Sequence, residues 1–208
     1  MIARMPGATH PMSQTASVAV FCGSRFGGNP AYTDAARATG AGLARAGIKL
    51  IYGGGKVGLM GVLADAAITA GGEVSGIIPH FLSVREVMHE HVSDLEVTDS
   101  MHSRKQSMFS QADAFLVLPG GLGTFDETIE IITWRQLQLH DKPILIADIE
   151  GWAQPLIAAI ENSIRDGFAD VSALSLFTVV PDVGTALARL AELLPASGTA
   201  RDTDATRL

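Results

Sequence analysis

Short apolar runs that alternate with longer helix-forming segments constrain the fold of this chain more than any other feature. Predicted strands cover residues 17–22, 49–52, 73–78, 94–98, 114–118, 143–147 and 177–180. Predicted helices cover residues 31–46, 58–70, 101–112, 124–139, 152–166 and 182–194. Regular alternation of strand and helix is typical of a parallel sheet covered on both faces. The pattern therefore predicts an α/β fold, a doubly wound, Rossmann-like parallel sheet with helices on both faces, in a single domain.

The composition is that of a chain with a packed core. Of its 208 residues, 47% are hydrophobic and 18% are charged, which excludes a disordered polypeptide and suits buried parallel strands. A chain of this length can bury a core without disulfides or metals. We expect one catalytic domain over residues 17–194, with flexible segments at 1–16 and 195–208.

The charge balance limits the class of partner. The chain has 15 Lys plus Arg against 22 Asp plus Glu, a formal net charge of -7. An acidic chain is a poor candidate for non-specific binding to nucleic acid. Any phosphate group that it binds must therefore meet a local site, and we expect no nucleic-acid partner.

The cellular setting follows from what the sequence lacks. Cys22 is the single cysteine, so no intrachain disulfide can form. No apolar run reaches the roughly 18 residues that a membrane-spanning helix requires, and residues 1–16 have no continuous apolar core of the kind found in signal peptides. We therefore expect a cytoplasmic protein with no membrane partner.

Glycines, prolines and polar clusters lie where the predicted strands pass into helices. The segments are CGS, YGGG, IIPHF, TDSMHSRK and LPGGLGT. These are carboxyl ends of strands, the edge of a doubly wound sheet at which ligands bind. The sequence thus places a ligand site at this edge.

The segment Pro119–Thr124 allows two interpretations. Glycines let the backbone approach an anion, and the free N–H groups of a helix start point at it, so a phosphate or ribose site is one. Alternatively, Thr124 and Glu127 have the spacing of a capping box, with Thr124 as the N-cap and Glu127 reaching back. A cap alone does not explain Gly120, Gly121 and Gly123, and we favour the phosphate or ribose site.

A second glycine segment matches G-x-G-x-x-G at Gly53, Gly55 and Gly58. A dinucleotide site would require an acidic residue at the end of the following strand, but that strand ends in Ile78 and Pro79. A nucleotide-triphosphate loop would require Ser or Thr after the lysine, and Val57 stands there. Both interpretations are disfavoured.

The adjacent Arg104 and Lys105 follow the fourth predicted strand. They could form a solvated basic pair at the start of a helix, although that is the unfavourable end of the helix dipole for cations. In an acidic chain, such a pair beside a strand end also suits a phosphate or carboxylate ligand. The residues alone leave both possibilities open.

Metal and nucleophile chemistry find little support. His89 and His91 are two residues apart, which points them in different directions on a strand or a helix, and no third ligand has a matching spacing. The chain has no G-x-S-x-G motif, and Cys22 has the character of a buried strand residue. We expect no metal site and no cofactor.

Three segments together resemble the LONELY GUY family of cytokinin riboside 5′-monophosphate phosphoribohydrolases, whose members are often labelled lysine decarboxylases. They are YGGGKVGLMG at 52–61, MHSRKQSM at 101–108 and PGGLGTFDE at 119–127. The resemblance extends over about residues 17–194 and includes FCGS, ITWRQLQLHDKP and EGW. The sequence differs from the family's common pattern at Lys56, Leu122 and Phe125, and two of these lie near the expected substrate loop.

The resemblance implies an activity and a set of site residues. It implies hydrolysis of the N-glycosidic bond of an N6-modified or plain adenosine 5′-monophosphate, by a homodimer. The catalytic pair falls on Arg104 and Glu127. Substrate-binding roles fall on the following residues: Glu86, Lys105, Gly120, Gly121, Gly123, Thr124 and Thr133.

Two other functions compete with this one. A non-catalytic nucleotide- or cofactor-binding protein on the same fold would need the glycine loop but not Glu127. A pyridoxal-phosphate decarboxylase would need a lysine for a Schiff base, and none of Lys49, Lys56, Lys105 and Lys142 has a convincing setting.

Overall fold

The computed structural model describes residues 15–83, 89 and 92–194. The strands are β1 Ser17–Phe21, β2 Lys49–Tyr52, β3 Val74–Pro79, β4 Asp94–Thr98, β5 Ala114–Val117, β6 Ile144–Ala147 and β7 Thr178–Val180. The helices are α1 Pro30–Arg45, α2 Gly58–Thr69, α3 His80–Ser83, α4 Met101–Gln111, α5 Leu122–Gln136, α6 Gln154–Arg165 and α7 Val183–Leu193.

The strands form one parallel sheet of seven, in the order β4-β3-β2-β1-β5-β6-β7. The chain winds outward from β1 through β4, then returns to the other side of β1 with β5. The predicted doubly wound fold is confirmed. The order in which strands are added to the sheet reverses between β1 and β5. Open α/β sheets bind ligands in the crevice at such a switch point.

Alternating side chains of β1 separate two cores, because successive residues of a strand point to opposite faces. Val18 and Val20 belong to the core under α1, α2 and α7. Ala19 and Phe21 belong to the core under α4, α5 and α6. Burial on both faces explains why the central strands are continuously apolar in sequence.

Two helix starts differ from the sequence prediction by two residues. The helix predicted from residue 152 begins at Gln154, since a 3-10 turn occupies Ile149–Gly151, with φ of 53° at Glu150 and 75° at Gly151. The helix predicted from Thr124 begins two residues earlier, at Leu122. In the part of the chain that the structure describes, no helix has both the length and the apolar character needed to cross a membrane.

Candidate active site

A cavity of about 610 Å³ opens at the carboxyl ends of β1 and β5. It is lined by residues 22–27, which follow β1, and by residues 119–124, which follow β5. Gly53, Arg104, Met108 and Glu127 also line it. The cavity lies at the carboxyl-end edge of the sheet, the edge at which the sequence predicts a ligand site.

Arg104 reaches the cavity from the first turns of α4. Ser100 caps this helix, and Ser103 completes a capping box with it. The Arg104 guanidinium is buried, with the residue 7% exposed. Its Nε donates a hydrogen bond to the Ile77 carbonyl at 3.1 Å, and its Nη2 donates to the Gly53 carbonyl at 3.3 Å. Two backbone carbonyls at the ends of β2 and β3 thus fix the orientation of the group.

Glu127 faces Arg104 from α5. Its Oε1 lies 3.9 Å from Arg104 Nη1, and both side chains are largely buried. Burial raises the pKa of the Glu127 carboxyl from 4.5 to about 7, although the Arg104 cation lowers it and Asp126 adds a smaller upward contribution. Desolvation therefore outweighs the ion pair. A carboxyl group whose pKa lies near 7 can both accept and return a proton at neutral pH.

The glycine loop between β5 and α5 is held in place from two sides. The Gly23 N–H donates to the Pro119 carbonyl at 3.0 Å. The Trp152 indole N–H donates to the Gly120 carbonyl at 3.2 Å, and the Trp152 ring stacks on Phe125 with centroids 5.4 Å apart. Contacts within the protein therefore hold the loop at Pro119 and Gly120. The sequence points to Trp152 only through the EGW match, because its contact with this loop is made by the fold.

The capping-box interpretation of Thr124 and Glu127 is wrong. Helix α5 has Gly121 as its N-cap, and in the described chain no side chain caps it. Thr124 lies in the first turn, buried, and its carbonyl accepts from the Thr128 hydroxyl at 2.6 Å. Glu127 lies one turn further along, on the side of the helix that faces Arg104. The first backbone N–H groups of α5 have no partner within the helix and are free to meet a ligand.

The three glycines of the loop have different reasons to be glycine. A Cβ at Gly120 would lie 2.0 Å from Thr124 Oγ1 and 2.9 Å from Gly23 N, so packing within the protein excludes a side chain there. A Cβ at Gly121 or Gly123 would meet no described atom within 4 Å. Packing does not require glycine at these two positions.

Lys105 lies beside the cavity but not among the residues that line it. Its ammonium group lies 3.2 Å from Asp126 and 3.1 Å from Glu130, one turn apart on α5. Burial alone would lower the pKa of Lys105, but the hydrogen bonds to Glu130 and Asp126 raise it. In this structure Lys105 joins α4 to α5 next to the Arg104–Glu127 pair.

Thr133, which the resemblance also implies, is not among the residues that line this cavity. Thr133 lies on the exposed side of α5, and its hydroxyl donates to the Ile129 carbonyl at 2.8 Å. Glu86 lies outside the described residues.

The sequence offers Cys22 as a candidate nucleophile and His89 and His91 as candidate metal ligands. Burial, reinforced by the Glu127 charge, raises the pKa of the Cys22 thiol well above its usual range, so it stays protonated. His89 is buried, with its Nε2 2.9 Å from Asp65, whereas Glu90 and His91 lie outside the described residues. Among the residues described, no group of three or more His, Cys, Asp or Glu side chains is arranged to hold a metal ion.

The fold is Rossmann-like, and its paired buried groups lie in a cavity that the glycine loop borders at the switch point. A family model described as "possible lysine decarboxylase" matches residues 60–190. A probable cytokinin riboside 5′-monophosphate phosphoribohydrolase of Oryza sativa is 40% identical over 93% of this chain and 85% of the relative. A cytokinin riboside 5′-monophosphate phosphoribohydrolase of Arabidopsis thaliana is 38% identical over 86% of this chain and 84% of its own. The chain belongs to this family, the LONELY GUY family.

Solved structures with the same fold include more distant proteins. A molybdenum cofactor carrier protein from Chlamydomonas reinhardtii superimposes with a TM-score of 0.64 at 21% identity, covering 86% of this chain and 98% of that one. A molybdenum cofactor binding protein from Rippkaea orientalis gives a TM-score of 0.65 at 19% identity, with coverages of 86% and 97%. At these identities the likeness shows the fold alone.

Proposed function

We propose that this protein hydrolyses the N-glycosidic bond of adenosine 5′-monophosphates, N6-modified or plain, and releases the free base and ribose 5-phosphate. The observation that carries the proposal is the buried Glu127 carboxyl, held 3.9 Å from Arg104 in the wall of the cavity. Membership of the phosphoribohydrolase family supports it.

The start of α5 would bind the 5′-phosphate. Its free N–H groups carry the positive end of the helix dipole. Gly121 and Gly123 leave room for a phosphate oxygen to reach the backbone, since a Cβ at either position has no contact within the protein. This contact supplies a local anion site in a chain of net charge -7. Binding energy from the phosphate would align the sugar with Glu127.

The reaction exchanges one bond for another at C1′. The bond from C1′ to the base nitrogen breaks, positive charge develops on C1′ and the ring oxygen, and the oxygen of a water molecule bonds to C1′. Glu127 as a carboxylate stabilises this charge and orients the water, from which it can accept a proton. The proton then passes to the departing base. Arg104 holds Glu127 in position and binds substrate oxygens. No cofactor or metal takes part.

The competing functions fit the cavity less well. A carrier protein on this fold would have no use for a carboxyl group with a pKa near 7 beside an arginine. A pyridoxal-phosphate decarboxylase would need a lysine in its site, and no lysine lines the cavity in the described chain. Lys49 pairs with Glu73 instead, and Lys142 donates to the Phe109 carbonyl.

We place the enzyme in the cytoplasm as a homodimer that has no nucleic-acid partner. The single, buried Cys22 suits a reducing compartment. The dimer rests on the resemblance to the family and on an apolar stripe along the exposed side of α5, formed by Leu122, Ile129 and Leu137.

A panel of nucleoside 5′-monophosphates, assayed for release of ribose 5-phosphate, tests the proposed function. AMP and N6-isopentenyl-AMP should be cleaved, and the matching nucleosides should be cleaved far more slowly, since they lack the group that the start of α5 binds. Equal rates on nucleoside and monophosphate would refute the phosphate site. Absence of cleavage across the whole panel would refute the activity.

A further inference from the structure

The glycine motif at 53–58 has the spacing of a dinucleotide loop but lacks the acidic residue that such a site needs. Its first glycine instead meets the buried cation of the active site. The Gly53 carbonyl accepts a hydrogen bond from Arg104 Nη2 at 3.3 Å, and Gly53 itself lines the cavity. The motif therefore contacts the catalytic machinery through Arg104.

Gly53 leaves no room for any larger residue. A Cβ at this position would lie 2.0 Å from Arg104 Nη2, 3.2 Å from Arg104 Cζ and 3.1 Å from the Met60 sulfur. Real Cβ contacts essentially never fall below 3.0 Å. The guanidinium thus occupies the space that a side chain at position 53 would take.

The backbone itself does not demand glycine at position 53. Gly54 has φ of +74° and Gly58 has φ of +63°, but Gly53 is not among the residues with positive φ. An alanine could therefore adopt its conformation. The obstacles are the ends of two flexible side chains, Arg104 with the severe clash and Met60 with a tight contact, and both can move without unfolding the sheet. A side chain at 53 would be accommodated by displacing Arg104.

We propose that Gly53 is a positioning residue for the Arg104 guanidinium. By having no side chain, it leaves the space in which Nη1 faces Glu127 while Nε and Nη2 stay bonded to the Ile77 and Gly53 carbonyls. Gly53 touches no reacting atom in this role. The consequence for turnover rests on the proposed function, whereas the consequence for the position of Arg104 does not.

Gly53→Ala tests the proposal, with Gly28→Ala as the matched control. A Cβ at Gly28 would meet nothing within 4 Å, its φ is not positive, and it does not line the cavity. The position of Arg104 is followed by NMR through the side-chain Nε–H signal, whose exchange is slowed by burial and by the bond to Ile77. We expect Gly53→Ala to fold, to lose this protection and to lose turnover on the order of a hundredfold, as a shift of about 1 Å can cost. Gly28→Ala should retain both.

The double variant Gly53→Ala/Arg104→Lys separates a clash with Arg104 from a general defect. Lysine has no Nη2, so the alanine should cost little further stability or turnover in that background. If Gly53→Ala does not fold, the double variant should recover the stability of Arg104→Lys. Retained Nε–H protection in Gly53→Ala would overturn the proposal, and so would a double variant that is as unfolded as the single one. If the wild-type protein cleaves no nucleotide but the protection is lost as described, the positioning role stands and the proposed function fails.

Discussion

Arg104 and Glu127 form an ion pair in which burial changes the Glu127 pKa more than the neighbouring cation does. Arg104 donates hydrogen bonds from Nε and Nη2 to two backbone carbonyls rather than to Glu127. The distance of 3.9 Å leaves the carboxylate incompletely compensated. The Glu127 pKa of about 7 is the consequence, and the group is costly to ionise in the folded state.

This cost predicts a pH-dependent difference in stability between the wild type and Glu127→Gln. The Glu127 pKa rises on folding from 4.5 to about 7, so its contribution to stability is fully present below pH 4.5 and is lost as the pH rises through 7. Glutamine cannot ionise and keeps that contribution. Between about pH 4 and pH 8, the unfolding free energy of the wild type should fall by roughly 3 kcal/mol relative to the variant. Urea unfolding across this range measures the difference, and a constant difference would contradict the assigned pKa.

At the scale of single elements, the start of α5 has one glycine that is enclosed by other residues and one that is accessible. Gly120 is enclosed by Thr124 and Gly23, and its carbonyl is bound by Trp152. Gly123 is in the first turn and has no side-chain neighbour. The same loop thus contains a glycine needed for packing and a glycine that we assign to substrate binding.

Alanine substitutions should separate these two requirements. Gly123→Ala should leave the melting temperature unchanged or raise it, because alanine stabilises a helix by about 1 kcal/mol over glycine. It should nevertheless raise KM for the monophosphate, because the Cβ stands where the phosphate approaches. Gly120→Ala should lower the melting temperature, because its Cβ clashes with Thr124 and Gly23. Thermal unfolding and steady-state kinetics on both variants check this. Unchanged KM in a well-folded Gly123→Ala would move the phosphate site away from α5.

The elements themselves could be predicted from the sequence, whereas some of their contacts could not. Strands and helices follow local apolar periodicity, and β2 and β4 match the sequence ranges at both ends. The T-x-x-E spacing at Thr124 left a capping box open as an alternative, because a capping box and a helix interior share this pattern, and only the fold turns Glu127 towards Arg104. The orientation of the Arg104 guanidinium depends on the carbonyls of Gly53 and Ile77, which lie far from it in sequence. Backbone acceptors leave no trace in residue identity.

At the scale of the whole molecule, the sheet order brings the ends of β1 and β5 together and so assembles the site from distant segments. The exposed side of α5 runs from this site across the surface. Leu122, Ile129 and Leu137 are 86%, 41% and 63% exposed, at helical spacing, with Thr133 between the last two. An apolar stripe of this kind suits contact with a second copy of the chain.

The proposed homodimer therefore predicts that a charged residue placed in this stripe weakens the association of the two copies. Ile129→Glu should shift the protein towards monomer in light scattering at micromolar concentration, because a carboxylate would be buried in the contact. Phe168→Glu is the control, since Phe168 is 87% exposed but follows α6 and is not part of the stripe. A wild-type protein that is monomeric and fully active would refute the dimer. An Ile129→Glu variant that remains dimeric would place the contact elsewhere.

The most direct test of the proposed mechanism is the turnover of Glu127→Gln on a nucleoside 5′-monophosphate, measured with its melting temperature. The substitution keeps the size of the side chain and removes the charge that would stabilise C1′ and orient water. We predict a folded protein whose turnover falls on the order of a hundredfold or more, as for the loss of one preorganised electrostatic group. Arg104→Ala should also lose turnover, and the double variant should lose less than the sum of the two, since the pair acts as a unit. A folded Glu127→Gln with near-normal turnover would contradict the central role of the pair.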